Sequence, residues 1–288
     1  NYKCDKAKLQ SCINSIKINT DVLIVDHSHD FTFDNITIPQ NLNIKVIKNI
    51  NLGNGAGINC GIKIPNTKLV LYLDIDTVLS PNFFEKLNNS IQKINDFTVI
   101  APKINGFYKE LDINKTGNLS LFKFYYNKLF YNLDLEKKNL SDIKQVFFVS
   151  GSIMLINKEK TYEKNIKFDE NILMFFEEDD FFHQCFKKNQ KIYLINNLTA
   201  DHFDGSINDK TLKYECFKKW HWEWSKYYFL NKHYNKILIF FIAVKSIFKF
   251  SLKIVFFYYL NKDKYQVYKS RLNGLLSFYF KKKCNINY

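Results

Sequence analysis

Short unbroken apolar runs alternate along this chain with longer stretches whose apolar positions recur every three to four residues. The runs at 21–26, 43–49, 69–73 and 97–104 are rich in branched side chains, the pattern of strands buried on both faces. The same pattern returns at 146–157, interrupted at Gly151, and again after Asn189. Four segments between these runs read as helices: LQSCINSI, GINCGIKI, Ser80-Pro81 to about Ile94, and the stretch opened by Glu177 to Asp180. Ser80-Pro81 supplies a cap and a first-turn proline, and Asn189 a C-terminal stop. Strand and helix in this alternation predict an α/β domain with a mostly parallel, Rossmann-like central sheet flanked by helices. Residues 106 to about 144 lack a period and are expected to form an excursion over one sheet edge.

The pattern changes beyond residue 210. KKWHWEWSKYYFLNKHY and the segment 237–260 are aromatic, lysine-studded and helical in repeat. The chain therefore divides into a catalytic-type domain at 1–210 and a helical extension at 211–288. Segment 237–260 has about the length of a bilayer span, which takes about 20 residues. Lys245, Lys249 and Lys253 interrupt it, and its uncharged runs reach no further than Ile237 to Val244. Spacing by four stacks these lysines along one stripe, which fits a helix lying in a membrane interface better than one crossing it. The competing reading is an amphipathic helix packed on the domain. Of the three tryptophans, Trp220, Trp222 and Trp224, all read as packing residues, with Trp222 also a candidate for facing a sugar acceptor.

Charge sharpens this division. From Ser206 onward there are 17 Lys/Arg and 4 Asp/Glu, a net of +13, whereas the first 205 residues carry 25 and 24. The basicity belongs to the extension and implies an anionic partner, read here as a membrane surface. No nucleic-acid recognition motif accompanies it. Hydrophobic residues at 46% exclude a disordered chain. Arg271 is the sole arginine, so the choice of lysine over arginine reads as codon bias. The six cysteines lie apart without a C-x-x-C pair, which argues against a zinc site and for reduced thiols in a cytoplasmic protein.

The chemistry gathers at strand ends. Leu69–Leu73 runs straight into Asp74 and Asp76. In an extended chain positions i and i+2 point to one side, and paired carboxylates at the end of a buried strand are costly unless a cation joins them. Ligands of open α/β sheets bind at such ends. A divalent-metal site therefore competes with a plain strand-end cap. Gly53, Gly55 and Gly57 form a loop whose backbone can approach a ligand, and Gly151 marks a second close approach. Glu177, Glu178, Asp179 and Asp180 open a helix, where negative charge is also favourable for purely structural reasons.

Taken in order, VDHSHD, NLGNGAGINCGI, DID, VSGSIMLI, FFEEDDF and DHFDGS resemble a bacterial family 2 glycosyltransferase of GT-A fold. They resemble in particular the rhamnosyltransferase-like enzymes of surface-polysaccharide assembly. The resemblance covers about residues 1 to 235. In that family a first strand precedes the helix of LQSCINSI type, and most of it is expected to be absent from this chain. The resemblance assigns Asp26 to the nucleotide base or ribose. Asn51, Gly53, Gly57 and Asn59 fall to the nucleotide-sugar pocket, together with Asp74 and Gly151. Asp74 and Asp76 match the metal-binding Asp-x-Asp, and His202, read as lying in a loop ADHFDGS, matches a downstream histidine facing the metal and diphosphate. Glu177 and Glu178, with Asp180 two residues on, match the acidic pair, Glu178 taking the place of the catalytic base. Many members carry Asp at that place and a non-acidic residue at 179, so the base stays open among the clustered carboxylates.

These assignments imply an inverting enzyme that uses Mn²⁺ or Mg²⁺, a UDP- or dTDP-sugar donor and a saccharide or lipid-linked saccharide acceptor. They place it peripherally on the cytoplasmic face of a bacterial inner membrane. Two rivals remain. A metal-dependent nucleotidyltransferase would usually show a basic glycine-rich loop, and NLGNGAGINCG has no Lys or Arg. A basic nucleic-acid-binding protein would fit the extension, but the strand-end carboxylates would repel phosphate.

Overall fold

The computed structural model describes residues 5–29, 31–106, 142–203 and 211–284. Most of the expected excursion, residues 107–141, lies outside them. Helices and strands alternate through the first part of the chain. They are α1 (Lys6–Ser15), β1 (Thr20–Asp26), β2 (Leu42–Lys48), α2 (Asn54–Lys63), β3 (Leu69–Leu73), β4 (Thr77–Leu79) and α3 (Phe83–Ile91). Then come β5 (Val99–Gly106), β6 (Ile143–Val146), β7 (Ile153–Asn157), α4 (Lys158–Glu163), α5 (Glu177–Lys187) and β8 (Ile192–His202). Three long helices follow: α6 (Leu212–His233), α7 (Lys236–Leu260) and α8 (Lys262–Tyr279).

The layered α/β architecture is present, but strand directions are mixed rather than mostly parallel. β1 and β2 form a parallel pair of their own. The larger sheet runs β3-β7-β5-β8-β4, with β6 also on β8. Within it, among the described residues, only β5 and β8 are parallel. Parallel neighbours need long crossovers. Here β4 and β6 are short strands of three and four residues laid antiparallel on the long β8. A register shift between Pro102 and Lys103 divides β8, so that its last residues, Thr199 to His202, pair anew with β5 and β4.

Among the described residues β1 and β3 are edges, and they face each other across a cleft. Consecutive residues of both, Asp21–Val25 and Leu69–Leu73, line it. Alternate residues would line it if a sheet face looked in, so the backbone edges do. Leu9 and Ile13 of α1, with Ile16 at its C-terminal cap, close one side, and Ile58 and Ile62 of α2 the other. This explains why β3, apolar throughout, is half-buried along its whole length instead of fully buried.

The extension has its own apolar cluster, with Tyr227, Phe229, Ile239, Phe250 and Leu275 packed around Phe176 from the first domain. Side-chain caps start each helix: Thr211 accepts from Tyr214 N, Asn235 from Ile237 N and Leu238 N, and Asn261 from Lys264 N. Gly274 permits close packing of α8 on α6, since a Cβ there would lie 2.2 Å from the Trp220 carbonyl oxygen. Arg271 reaches buried Glu223 at 2.9 Å.

An ionic clasp joins the extension to α5. Fully buried Asp180 meets Lys232 Nζ at 2.8 Å and His233 Nε2 at 2.5 Å, and accepts from Gln184. Lys232 also pairs with Asp169 at 2.6 Å. Burial alone would raise the Asp180 carboxyl, but the hydrogen bonds from His233 and Lys232 win and hold it below its ordinary value. Asp180→Ala should cost about 1 to 3 kcal/mol, because it takes the carboxylate partner from the buried His233 ring, while the more exposed Lys232 keeps Asp169. Urea unfolding followed by tryptophan fluorescence checks this, and an unchanged midpoint would show the clasp to be inert.

Candidate active site

The Asp74–Asp76 segment is a turn, not the extended strand end that the i, i+2 argument assumes. Asp74 N donates to Ser152 O at 2.8 Å, and Thr77 donates back to Asp74 O through its N–H at 3.1 Å and its hydroxyl at 2.6 Å. The turn leads into β4, whose Thr77 pairs with His202. His202 is thus the last residue of a strand and not part of a loop. The rest of the DHFDGS motif, from 204 on, lies outside the described residues.

Strand pairing therefore brings the three expected metal ligands together. His202 Nε2 lies 3.2 Å from Asp76 Oδ1 and 3.8 Å from Asp74 Oδ2. One ligating atom from each of the three falls within 4.8 Å of the others. Burial, reinforced by the Asp76 charge, pushes the Asp74 carboxyl up to about 6 even though the Tyr72 hydroxyl donates to it. Two carboxylates and an imidazole, held close at an energetic cost, fit a divalent cation of Mn²⁺ or Mg²⁺ type.

Of the three glycines expected in a loop only Gly53 stands in one, because α2 begins at Asn54 and takes in Gly55 and Gly57. Gly53 has φ 102° and caps α2, and Asn51 Oδ1 accepts from its N–H at 3.2 Å. A Cβ on Gly53 would lie 2.3 Å from the Leu173 carbonyl oxygen, so only glycine fits against that segment. A Cβ on Gly57 would lie 2.4 Å from His27 Nε2. His27, Asn51, Gly53, Asn54 and Gly57 all line the cleft.

Two residues assigned to the nucleotide-sugar pocket do other work. Asp26 is fully buried, and its oxygens accept from Ser28 N, Ser28 Oγ and Phe31 N. It fixes the loop after β1 and does not line the cleft. Asn59 is turned away too: its amide bonds Phe168 O, Phe168 N and Glu170, tying α2 to the segment before α5.

The acidic cluster splits by direction. The chain enters α5 through Phe175 and Phe176, both left-handed with φ 64° and 67°, a strained pair that surrounding contacts must hold. Ser225 donates to Met174 O at 2.8 Å, and Trp222 packs edge-on against both phenylalanine rings. Trp222 thus supports the turn from behind rather than facing an acceptor. Glu177 lines the cleft, and burial together with the Glu178 charge pushes its carboxyl up to about 8. Its Oε2 finds no hydrogen-bond partner among the described residues. Glu178 lies over Gly151, where a Cβ would sit 1.8 Å from its Oε1. Asp180 points into the clasp, away from the cleft, so it leaves the set of candidate catalytic groups.

The cleft encloses about 930 Å³ and runs from the facing edges of β1 and β3 to Asp74, Asp76, His202 and Glu177. Tyr214 and Phe217 of α6 border it, and Tyr72 and Asn54, joined at 3.0 Å, lie on its wall. None of these four, nor His27, stood out in the sequence. Tyr72 carried a weak signal, sitting two strand positions before Asp74.

Residues 2–163 match the family described as Glycosyl transferase family 2. An uncharacterized glycosyltransferase of Methanocaldococcus jannaschii is 25% identical over 207 residues, 67% of this chain and 64% of that protein. The chain thus spans a little under two thirds of that relative's length. S. aureus TarS 1-349, in complex with UDP-GlcNAc, superposes with a TM-score of 0.50 at 13% identity over 98% of this chain and 90% of its own. A second structure of S. aureus TarS gives 0.51 at 14% identity over 96% and 54%. At such identities the likeness is one of fold, and that fold is GT-A. The matched region takes in more than half the chain, with the glycine loop, Asp74, Asp76 and Gly151, and the chain belongs to glycosyl transferase family 2.

Proposed function

We propose that the protein transfers a sugar, with inversion, from a UDP- or dTDP-sugar to a saccharide or lipid-linked saccharide in O-antigen- or capsule-type polysaccharide assembly. The observation that carries this reading is the placement of Asp74, Asp76 and His202 in the same cleft as Glu177, with Glu178 beside it. The fold likeness to TarS, which binds UDP-GlcNAc, supports the donor class. An expected location at the cytoplasmic face of the inner membrane goes with a lipid-linked acceptor.

Asp76 and His202, with Asp74 beside them, would hold Mn²⁺ or Mg²⁺, which supplies Lewis-acid stabilisation of the diphosphate charge. The N-terminus of α2, with Gly53 at its cap, offers backbone approach to the donor. The acceptor hydroxyl oxygen bonds to the anomeric carbon as the anomeric bond to the diphosphate breaks. The nucleoside diphosphate leaves with that electron pair, and the hydroxyl proton passes to a carboxylate. Glu178 is the better base. Glu177, pushed up to about 8, keeps its proton at neutral pH, while Gly151 leaves room for the Glu178 carboxylate. A positioned base contributes about 10²- to 10⁴-fold. Direct displacement with one base gives inversion.

Asp76→Asn should abolish transfer and divalent-dependent nucleotide binding while the protein stays folded; full activity in EDTA would remove the metal from the account. For the base, Glu178→Gln should lower turnover about 10²-fold or more with donor binding retained. Gly151→Ala, which crowds the same carboxylate, should lower turnover in the same direction. Near-normal turnover in Glu178→Gln together with loss in Asp179→Asn would move the role to Asp179. Retention of the donor's anomeric configuration, read by NMR of the product, would reject inversion.

A pH test addresses Glu177. Its carboxyl is raised from 4.5 to about 8 on folding. The stability it contributes is complete below its unfolded value and is lost as pH rises toward 8. The melting temperature of the metal-free protein should therefore fall between about pH 5 and pH 8. Glu177→Gln should flatten that slope, and an unchanged slope would show that Glu177 titrates normally.

A further inference from the structure

We propose that the outward face of α7 is a docking surface for an anionic lipid bilayer. Ile237, Phe241, Val244, Phe248, Leu252 and Val255 recur at three- and four-residue spacing and form one exposed stripe down the helix. Tyr259, 90% exposed, continues it. The opposite face is already used: Ile239, Ala243 and Phe250 are buried, and the Tyr227 hydroxyl bonds Ser246 at 2.7 Å. The helix is thus apolar on both sides and covered on one. An exposed apolar stripe of this length on a water-facing helix is unusual unless it meets a partner.

Charge identifies that partner. α7 contains no Asp or Glu. Lys245 and Lys249 are exposed along one flank of the stripe, while Lys253 turns back to the Tyr268 hydroxyl at 2.8 Å. At the far end Tyr258 and Tyr259 are exposed and suited to the headgroup layer, followed by exposed Lys262 with Asp263 beside it, while Lys264 turns over the Phe257 ring at 5.1 Å. A second copy of the chain would set one lysine row beside another with no carboxylate on the helix to answer it, whereas lipid phosphates supply the missing negative charge. None of the described helices is long and apolar enough to cross a membrane. At about 1.5 Å per residue, α7 instead lies flat, its stripe in the acyl boundary and Lys245 and Lys249 among headgroups. The surface reaches the cleft through α6, which carries Tyr227 against α7 and Tyr214 and Phe217 at the cleft wall.

The test is cosedimentation of the full chain with vesicles, and it needs no sugar transfer. The protein should pellet with phosphatidylcholine–phosphatidylglycerol vesicles at low salt, bind pure phosphatidylcholine at least about tenfold more weakly, and be released by high salt. Lys245→Glu with Lys249→Glu should weaken binding about tenfold or more, and Phe248→Ser with Val255→Ser should abolish it. All four side chains are exposed, so melting curves should match the parent. Failure of the parent protein to pellet would overturn the proposal, as would pelleting unchanged by either pair of substitutions. A dimer in sedimentation velocity that Phe248→Ser dissociates and Lys245→Glu does not would give the face to a second copy instead.

Discussion

The repulsion among carboxylates sharing one cleft governs the design of this protein. Asp74, Asp76, Glu177 and Glu178 cannot all be ionised at close quarters without compensation, and the fold answers in two ways. Glu177 is held protonated by burial and by its neighbour's charge. Asp74 and Asp76 are set against His202, in an arrangement that a divalent cation would relieve. Glu178, packed over Gly151, is the group proposed as the proton acceptor. The electrostatic cost and the proposed chemistry are therefore one feature, since perturbed carboxyls are how a single site separates acid and base roles.

Keeping that cluster together requires the extension as well as the sheet. β8 delivers His202 because its register shift re-pairs its end with β4. α5 delivers Glu177 and Glu178 through a strained turn, held by Ser225 and Trp222 of α6. The Asp180 clasp fixes the same helix to Lys232 and His233. Two residues after His233, Asn235 caps the start of α7. The helices after residue 211 are thus a structural part of the site, and the surface they present outward is joined to it by a short run of packed side chains.

Much of this was legible in the sequence. Apolar runs ending in aspartate located β1 and β3, and Gly53 and Gly151 were found as close approaches because only glycine tolerates a neighbour at about 2 Å from its Cβ position. Directions were harder to read. Asp26, Asn59, Asp180 and Trp222 have residue types suited to a site, yet partners distant in sequence capture them. Asp180 goes to Lys232 and His233, 52 and 53 positions away. Asn59 goes to Phe168, 109 positions away. His202 read as a loop residue because the strand pairing that places it depends on three residues of β4. The mixed strand directions were hidden for the same reason, since alternation of strand and helix does not report which edge a short strand will join.

The central claim is that the carboxylate repulsion is relieved by a divalent cation bound at Asp74, Asp76 and His202. Titrating the full chain with Mn²⁺ in the presence of UDP, while following the free-ion signal by electron paramagnetic resonance, tests it directly. The account predicts saturable uptake of a single ion that His202→Ala and Asp76→Asn each abolish without unfolding the protein. Uptake unaffected by both substitutions, or none in the parent chain, would contradict it.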